Sequence, residues 1–307
     1  MLSVQARFLN QIFKSMPAED INAVHDYEKE REQNRARELP RQPANIIVQQ
    51  KDFDGVNGEI IAPINADKDK VIWYIHGGGC TTGSAMESRA CTYYLAEKFG
   101  FTVLASDYRL APENKWPAQI DDCMTVYESI IKSGYDMSKV VLMGGSAGGL
   151  LVLSVALRAR DESKIMPKAV CAFSPITNQA DDLQSHHGNV KKDYMLKNTL
   201  FCPRQNVALF GEANPPRELM AHPYVSPYYG TYQGMPPVFL AVSDCEVLYD
   251  DSLSLYHKLK KEGHPVEIDI VKGICHAYAT LPMMPEAQKT LKRAIEFAEK
   301  AGNAVGA

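Results

Sequence analysis

A serine, two acids and a histidine follow one another along this chain in an order that suits acyl transfer. Ser146 is the centre of Gly144-Gly145-Ser146-Ala147-Gly148, which matches G-x-S-x-G. Ser243-Asp244-Cys245-Glu246 offers two carboxylates, and Gly273-Ile274-Cys275-His276-Ala277-Tyr278 offers an imidazole. A serine hydroxyl is a weak nucleophile until a neighbouring base takes its proton. Histidine titrates near neutrality and can both accept and return that proton. A carboxylate fixes the imidazole tautomer and stabilises the imidazolium that forms. The tetrahedral oxyanion then needs preorganised donors. His76-Gly77-Gly78-Gly79 supplies backbone N–H groups with no side chain in the way, and the N–H of Ala147 follows the serine directly.

These residues need elements that bring them to one edge. Val140 to Met143 is an apolar, partly β-branched run that predicts a central strand, and Leu150 to Arg158 (LLVLSVALR) predicts a helix. A tight strand-to-helix turn between them lifts the hydroxyl above a sheet and aims a helix N-terminus at the reaction centre. Val71 to Ile75 is a buried strand running into His76-Gly77-Gly78-Gly79. Helices around Thr92 to Phe99 and Gln119 to Ser133, with a strand at Thr102 to Ser106, complete a strand–helix alternation up to the serine. That alternation predicts a parallel sheet covered on both faces. Ala169 to Phe173, Pro237 to Val242 and Val266 to Val271 continue it, with helices at Asp250 to Glu262 and Pro285 to Lys300. The serine, the acids and the histidine then stand past the C-terminal ends of three strands, the edge at which open α/β sheets build their sites. Residues 44 to 64 read as a hairpin at a sheet edge.

Two regions fall outside the alternation. Residues 1 to 40 are helical by pattern: Val4, Phe8, Ile12 and Phe13 share one spacing, and Ala18 to Leu39 is a charged second helix closed by Pro40. Thr177 to Ser226 is polar, rich in Pro and Gly, and only patchily helical. An insert of that length in a compact domain usually has a task or forms a lid. Its adjacent His186 and His187 point in different directions, so they are read as surface residues and not as metal ligands.

Composition sets the bounds. The 307 residues, 45% hydrophobic, suffice for one large core, and a net charge of -4 with no long basic run gives no footprint for nucleic acid. Seven cysteines, odd in number and scattered, read as free thiols in a reducing compartment, hence a cytoplasmic protein. Arg7 and Lys14 interrupt the apolar N-terminus, so no signal peptide is expected, and no apolar run is long enough to span a membrane. No Cys/His spacing of zinc type occurs.

His76-Gly77-Gly78-Gly79, Asp107-Tyr108-Arg109-Leu110-Ala111-Pro112-Glu113 and Gly144 to Gly149 together resemble the hormone-sensitive-lipase-like esterases, the bacterial family IV carboxylesterases. The order serine, acid, histidine is that of the α/β-hydrolase fold. The resemblance implies a mostly parallel eight-stranded sheet flanked by helices. It also implies a helical cap built from residues 1–45 and an insertion at about residues 177–226, the catalytic domain being residues 46–307. It implies hydrolysis of short-acyl esters of small molecules through an acyl-enzyme, without metal or organic cofactor, and often a homodimer. An amidase or deacetylase on the same machinery, or a ligand receptor on the same fold, stand as alternatives, the receptor disfavoured by the presence of His276. The oxyanion donors are assigned to Gly77, Gly78, Gly79 and Ala147. His76, Cys80 and Gly145 are expected at the substrate.

The acid is open between two residues. Residue type favours Asp244. The family's frame Asp-Pro-Leu-x-Asp, set on Glu246-Val247-Leu248-Tyr249-Asp250, favours Glu246, 30 residues before His276. Glu246 is preferred, with Asp244 second. Departures from the family pattern are Gly145 where Asp is common, Cys80 where an aromatic is common, which is expected to open the acyl pocket, and Ile274 where Met is frequent. Cys275 adjoins His276 and is expected to bring a thiol near the site. Phe201, Leu209 and Phe210 of the insert are expected to roof a closed pocket.

Overall fold

Five nearly continuous apolar runs form the centre of a single sheet, and their composition is what buries them. In this computed structural model, which describes residues 1–17, 20, 25–197 and 199–301, the strands are β1 (Ile46–Phe53), β2 (Val56–Pro63), β3 (Val71–Ile75), β4 (Thr102–Ser106), β5 (Val140–Gly145), β6 (Ala169–Phe173), β7 (Val238–Ser243) and β8 (Val266–Val271). Every residue of β3 to β7 is buried. That is the pattern of parallel strands covered on both faces. The order across the sheet is β1-β2-β4-β3-β5-β6-β7-β8. β1 and β2 form the expected edge hairpin; β2 also meets β4 antiparallel, and all other pairs are parallel.

The helices are α1 (Val4–Ser15), α2 (Tyr27–Arg35), α3 (Arg89–Phe99), α4 (Ala118–Lys132), α5 (Ala147–Asp161), α6 (Gln184–Gly188), α7 (Pro203–Phe210), α8 (Arg217–Met220), α9 (Tyr249–Lys261) and α10 (Pro285–Ala301). Strand residues alternate between two cores, as the two-residue period of a strand requires. Trp73, Leu104, Leu142 and Leu240 pack with α4, α5 and α9. Ile72, Tyr74, Val103, Val141 and Phe239 pack with α1, α3 and α10 on the other face. All seven cysteines are buried free thiols. Among the described residues, no helix is long and apolar enough to cross a membrane.

The N-terminal region departs from its pattern. α1 turns Ala6, Leu9 and Phe13 inward, while Val4 and Phe8 stay 69% and 66% exposed. Two polar anchors set this rotation. Glu286 accepts from the N–H and hydroxyl of Ser3 at 2.6 and 2.8 Å, and Asn10 Nδ2 donates to the Gly273 carbonyl at 2.7 Å. The second helix is shorter than Ala18 to Leu39: α2 starts after Asp26, whose side chain caps the Lys29 N–H at 3.0 Å. Ala18, Glu19 and residues 21–24 of that expected helix lie outside the described residues. Among the described residues between β6 and β7, the insert carries the short helices α6, α7 and α8, as its composition foretells.

Candidate active site

The turn from β5 to α5 holds Ser146 at φ 58° and ψ -122°, a conformation costly for any residue with a Cβ. Its N–H donates to the Phe173 carbonyl at 2.8 Å and its carbonyl accepts from Leu150 N–H at 3.0 Å, so the strain is held from both sides. The turn needs its glycines for space. A Cβ on Gly148 would collide with the carbonyl groups of Ile75 and His76 at the end of β3. Ala147 opens α5, so its N–H is one of the helix's orphan donors. Across from it, Gly78 and Gly79 take φ of 102° and 61°, backbone that favours glycine.

Glu246 lies in the turn after β7 and is fully buried. The turn folds its carboxylate back on its own strand, where Oε1 accepts from Ser243 N–H at 2.7 Å and from Ser174 Oγ at 2.9 Å. Oε2 stands 2.5 Å from His276 Nδ1. The other ring nitrogen of His276, Nε2, is buried and has no hydrogen-bond partner among the described residues. His276 and Ser146 line the same cavity. Asp244 is elsewhere: its Oδ1 accepts from Gly273 N–H at 2.8 Å and so ties the acid turn to the histidine loop.

Electrostatics follow from burial and pairing. Burial pushes the Glu246 carboxyl up, with the neighbouring imidazole opposing. Burial works against a charged His276, but the Glu246 carboxylate and then Asp193 outweigh it, and the imidazole sits above its ordinary value. Burial raises the Cys245 and Cys275 thiols to about 11 and about 12, so both stay protonated.

The cavity measures about 450 Å³. Gly77, Gly78, Gly79, Gly145, Ser146 and His276 line it, together with Met195, Leu196 and Leu200 of the insert and His25, Tyr27 and Glu30 of the N-terminal region. Gly145 thus lines the cavity. The absence of a side chain there has a local cause: a Cβ would meet the Thr280 methyl at 2.6 Å.

Several expectations are corrected. His76 is 2% exposed and off the cavity wall; its ring stacks on Tyr108 at 4.2 Å and its Nδ1 lies 2.7 Å from the Gly77 carbonyl. It braces the glycine loop from behind. Cys80 is also off the wall, because the turn after Gly79 swings it into the core with Tyr108 and Ala111. Its thiol is pushed by burial to about 12. Cys275 packs into the core on the α10 side and does not line the cavity. His186 is no surface residue: Nε2 lies 2.7 Å from the buried Asp251 Oδ2 and its ring stacks on Phe201. His187 is exposed as expected. Phe201 lines a second cavity of about 490 Å³, and Leu209 and Phe210 pack into the main core, so other residues line the cavity that holds Ser146.

Two participants were missed. Ser174 donates to Glu246 and accepts from Ala277 N–H at 3.1 Å, coupling acid and histidine loop. Its signal was its position, a hydroxyl ending a buried strand beside the serine turn. Asp193, in the insert, accepts from Val247 N–H at 3.0 Å; nothing in its flanking sequence marks it.

A family model described as alpha/beta hydrolase fold matches residues 72–280. An acetyl-hydrolase of Streptomyces hygroscopicus is 29% identical, over 78% of this chain and 78% of its own. Esterase LipU of Mycobacterium tuberculosis is 30% identical, over 76% and 78%. Among solved structures, an esterase/lipase from an uncultured bacterium superposes with a TM-score of 0.86 at 26% identity, covering 98% of this chain and 99% of that one. An esterase of the bacterial hormone-sensitive lipase family superposes with a TM-score of 0.82 at 27% identity over the full length of both.

Proposed function

This chain belongs to the α/β-hydrolase fold family, within the hormone-sensitive-lipase-like esterases, and is a hydrolase of carboxylic esters; from that premise we propose that Ser146, His276 and Glu246 carry the reaction. Ser146 Oγ attacks the ester carbonyl while His276 Nε2 takes its proton. Glu246 holds the Nδ1–H tautomer and stabilises the imidazolium. The N–H of Ala147 and the N–H groups of Gly77 to Gly79 receive the oxyanion. His276 then protonates the leaving alcohol, and water releases the acid from the acyl-enzyme by the same steps.

One observation carries this reading: the 2.5 Å contact of Glu246 with His276 Nδ1, which leaves Nε2 unengaged at the cavity that Ser146 lines. His25 and Tyr27 of the N-terminal region and Met195, Leu196 and Leu200 of the insert line the cavity together with Ser146, which supports a cap drawn from residues 1–45 and 177–226. A cavity of about 450 Å³ with such a wall favours short acyl groups. Stopped-flow hydrolysis of p-nitrophenyl acetate, butyrate and decanoate tests both parts. A burst matching the enzyme concentration with the short esters, absent in Ser146→Ala, is expected. A burst that survives the substitution refutes the nucleophile, and decanoate turned over as well as butyrate refutes the chain-length preference.

A further inference from the structure

We propose that Asp193 is a positioning residue for the Glu246–His276 pair and that it links the wall of the ester cavity to that pair. The proposal rests on the reading of Ser146, His276 and Glu246 given above. Asp193 is 2% exposed, and its carboxylate is held by three backbone N–H groups. Oδ1 accepts from Met195 and Leu196 at 3.0 and 2.9 Å, and Oδ2 accepts from Val247 at 3.0 Å. Met195 and Leu196 line the ester cavity, and Val247 is the residue directly after Glu246. One side chain therefore fixes both the cavity wall and the turn that presents the acid.

The neighbouring residues clamp the same turn with neutral contacts. Asn189 Nδ2 donates to the carbonyls of Asp244 and Glu246 at 3.2 and 2.9 Å, and Ser185 Oγ donates to the Val247 carbonyl at 2.7 Å. Asp193 is the charged member of this set. A buried carboxylate is expensive when only N–H dipoles hold it. Its field falls on Glu246 and His276, and also on the neighbouring Cys245 and Cys275 thiols. Near this pair, Cys245 and Cys275 are neutral thiols, and Asp244 is engaged by Gly273 N–H. Asp193 and Glu246 are thus the two anions that favour the imidazolium, the species formed in both halves of the reaction.

The test compares Asp193→Asn, Asp193→Ser and Asn189→Ala in the full chain, with thermal melting as the check on folding and p-nitrophenyl butyrate as substrate. Asparagine keeps the shape and can still accept from Met195 and Leu196, but it loses the charge and turns a donor toward Val247. Serine keeps a short acceptor and cannot reach Val247. In both Asp193 variants kcat should fall about tenfold with KM changed less than threefold. The acid limb of the kcat/KM profile should move to lower pH by about half a unit or more, because the imidazolium has lost an anion. Asn189→Ala removes a neutral clamp on the same turn and should leave that limb in place. Folded Asp193 variants with the wild-type limb, or an equal shift in Asn189→Ala, overturn the proposal. So does a loss confined to KM, or failure of both Asp193 variants to fold, which would make the residue a folding element. A burst of p-nitrophenol that persists in Ser146→Ala would instead overturn the underlying reading, so the two failures are distinguishable.

Discussion

Glu246→Gln isolates the acid's role, because its consequence can be worked from three hydrogen bonds. Oε1 of the carboxylate accepts from Ser243 N–H and Ser174 Oγ, and Oε2 faces His276 Nδ1. Glutamine has one oxygen and one NH2. If its oxygen keeps the two donors at 2.7 and 2.9 Å, the NH2 must face Nδ1. The imidazole can accept that bond only by moving its own proton to Nε2. The nitrogen that should take the Ser146 proton is then already protonated, and the anion that stabilises the imidazolium is gone. The same change of tautomer in the serine-protease template lowers kcat by about 10⁴, which corresponds to about 5.5 kcal/mol of transition-state stabilisation. The fold should survive, since the substitution is isosteric and the site keeps its donors. Asp244→Asn should cost less than about tenfold, because an amide oxygen can still accept from Gly273 N–H. The measurement is kcat for p-nitrophenyl butyrate, with active-site titration to count competent enzyme. A glutamine variant within tenfold of wild type, or a crippled Asp244→Asn, would falsify the assignment of the acid.

Three further outcomes follow from the same geometry. His276 must be neutral to act as base, and its imidazole is raised above the ordinary 6.5. The acid limb of kcat/KM should therefore lie above pH 6.5, activity falling as the pH drops through it; a limb well below that value refutes the paired imidazole. Restoring the family's common residue, Gly145→Asp, drives a Cβ to 2.6 Å from the Thr280 methyl and should cost about 1–3 kcal/mol in chemical unfolding. Thr280→Gly in the same chain should recover most of that loss, and a double variant no better than the single one refutes the steric account. Ser146→Gly should abolish turnover yet raise stability by about 1 kcal/mol or more, because a residue with a Cβ at φ 58° carries strain that glycine relieves; an unchanged or lower melting temperature contradicts it.

What could be read from the sequence was what depends on neighbours along the chain. The buried strands announced themselves because continuous apolar runs suit parallel strands covered on both sides, and the serine turn because glycines must stand where backbones touch. Glu246 was preferred over Asp244 from a frame of adjacent residues, and it is the one whose carboxylate meets the imidazole. What stayed hidden depends on approach between distant segments. Val4, Phe8 and Ile12 satisfy a helical period as well as Ala6, Leu9 and Phe13 do; only the anchors at Glu286 and Gly273, far along the chain, decide which stripe turns inward. His186 sits in a polar stretch, and its burial comes from Asp251 and Phe201 closing on it. His76 and Cys80 border the glycine loop in sequence, yet a peptide's two sides face opposite ways, and Tyr108 claims both residues for the core side. Ser174 and Asp193 belong to the same class. Ser174 offers only its place at the end of a buried strand and Asp193 no flanking signature at all, and each acts by reaching a loop more than fifty residues away. Chemistry-bearing groups in this site are therefore legible when a local turn must accommodate them. The groups that hold them in place become visible only when the sheet has brought its C-terminal edge together.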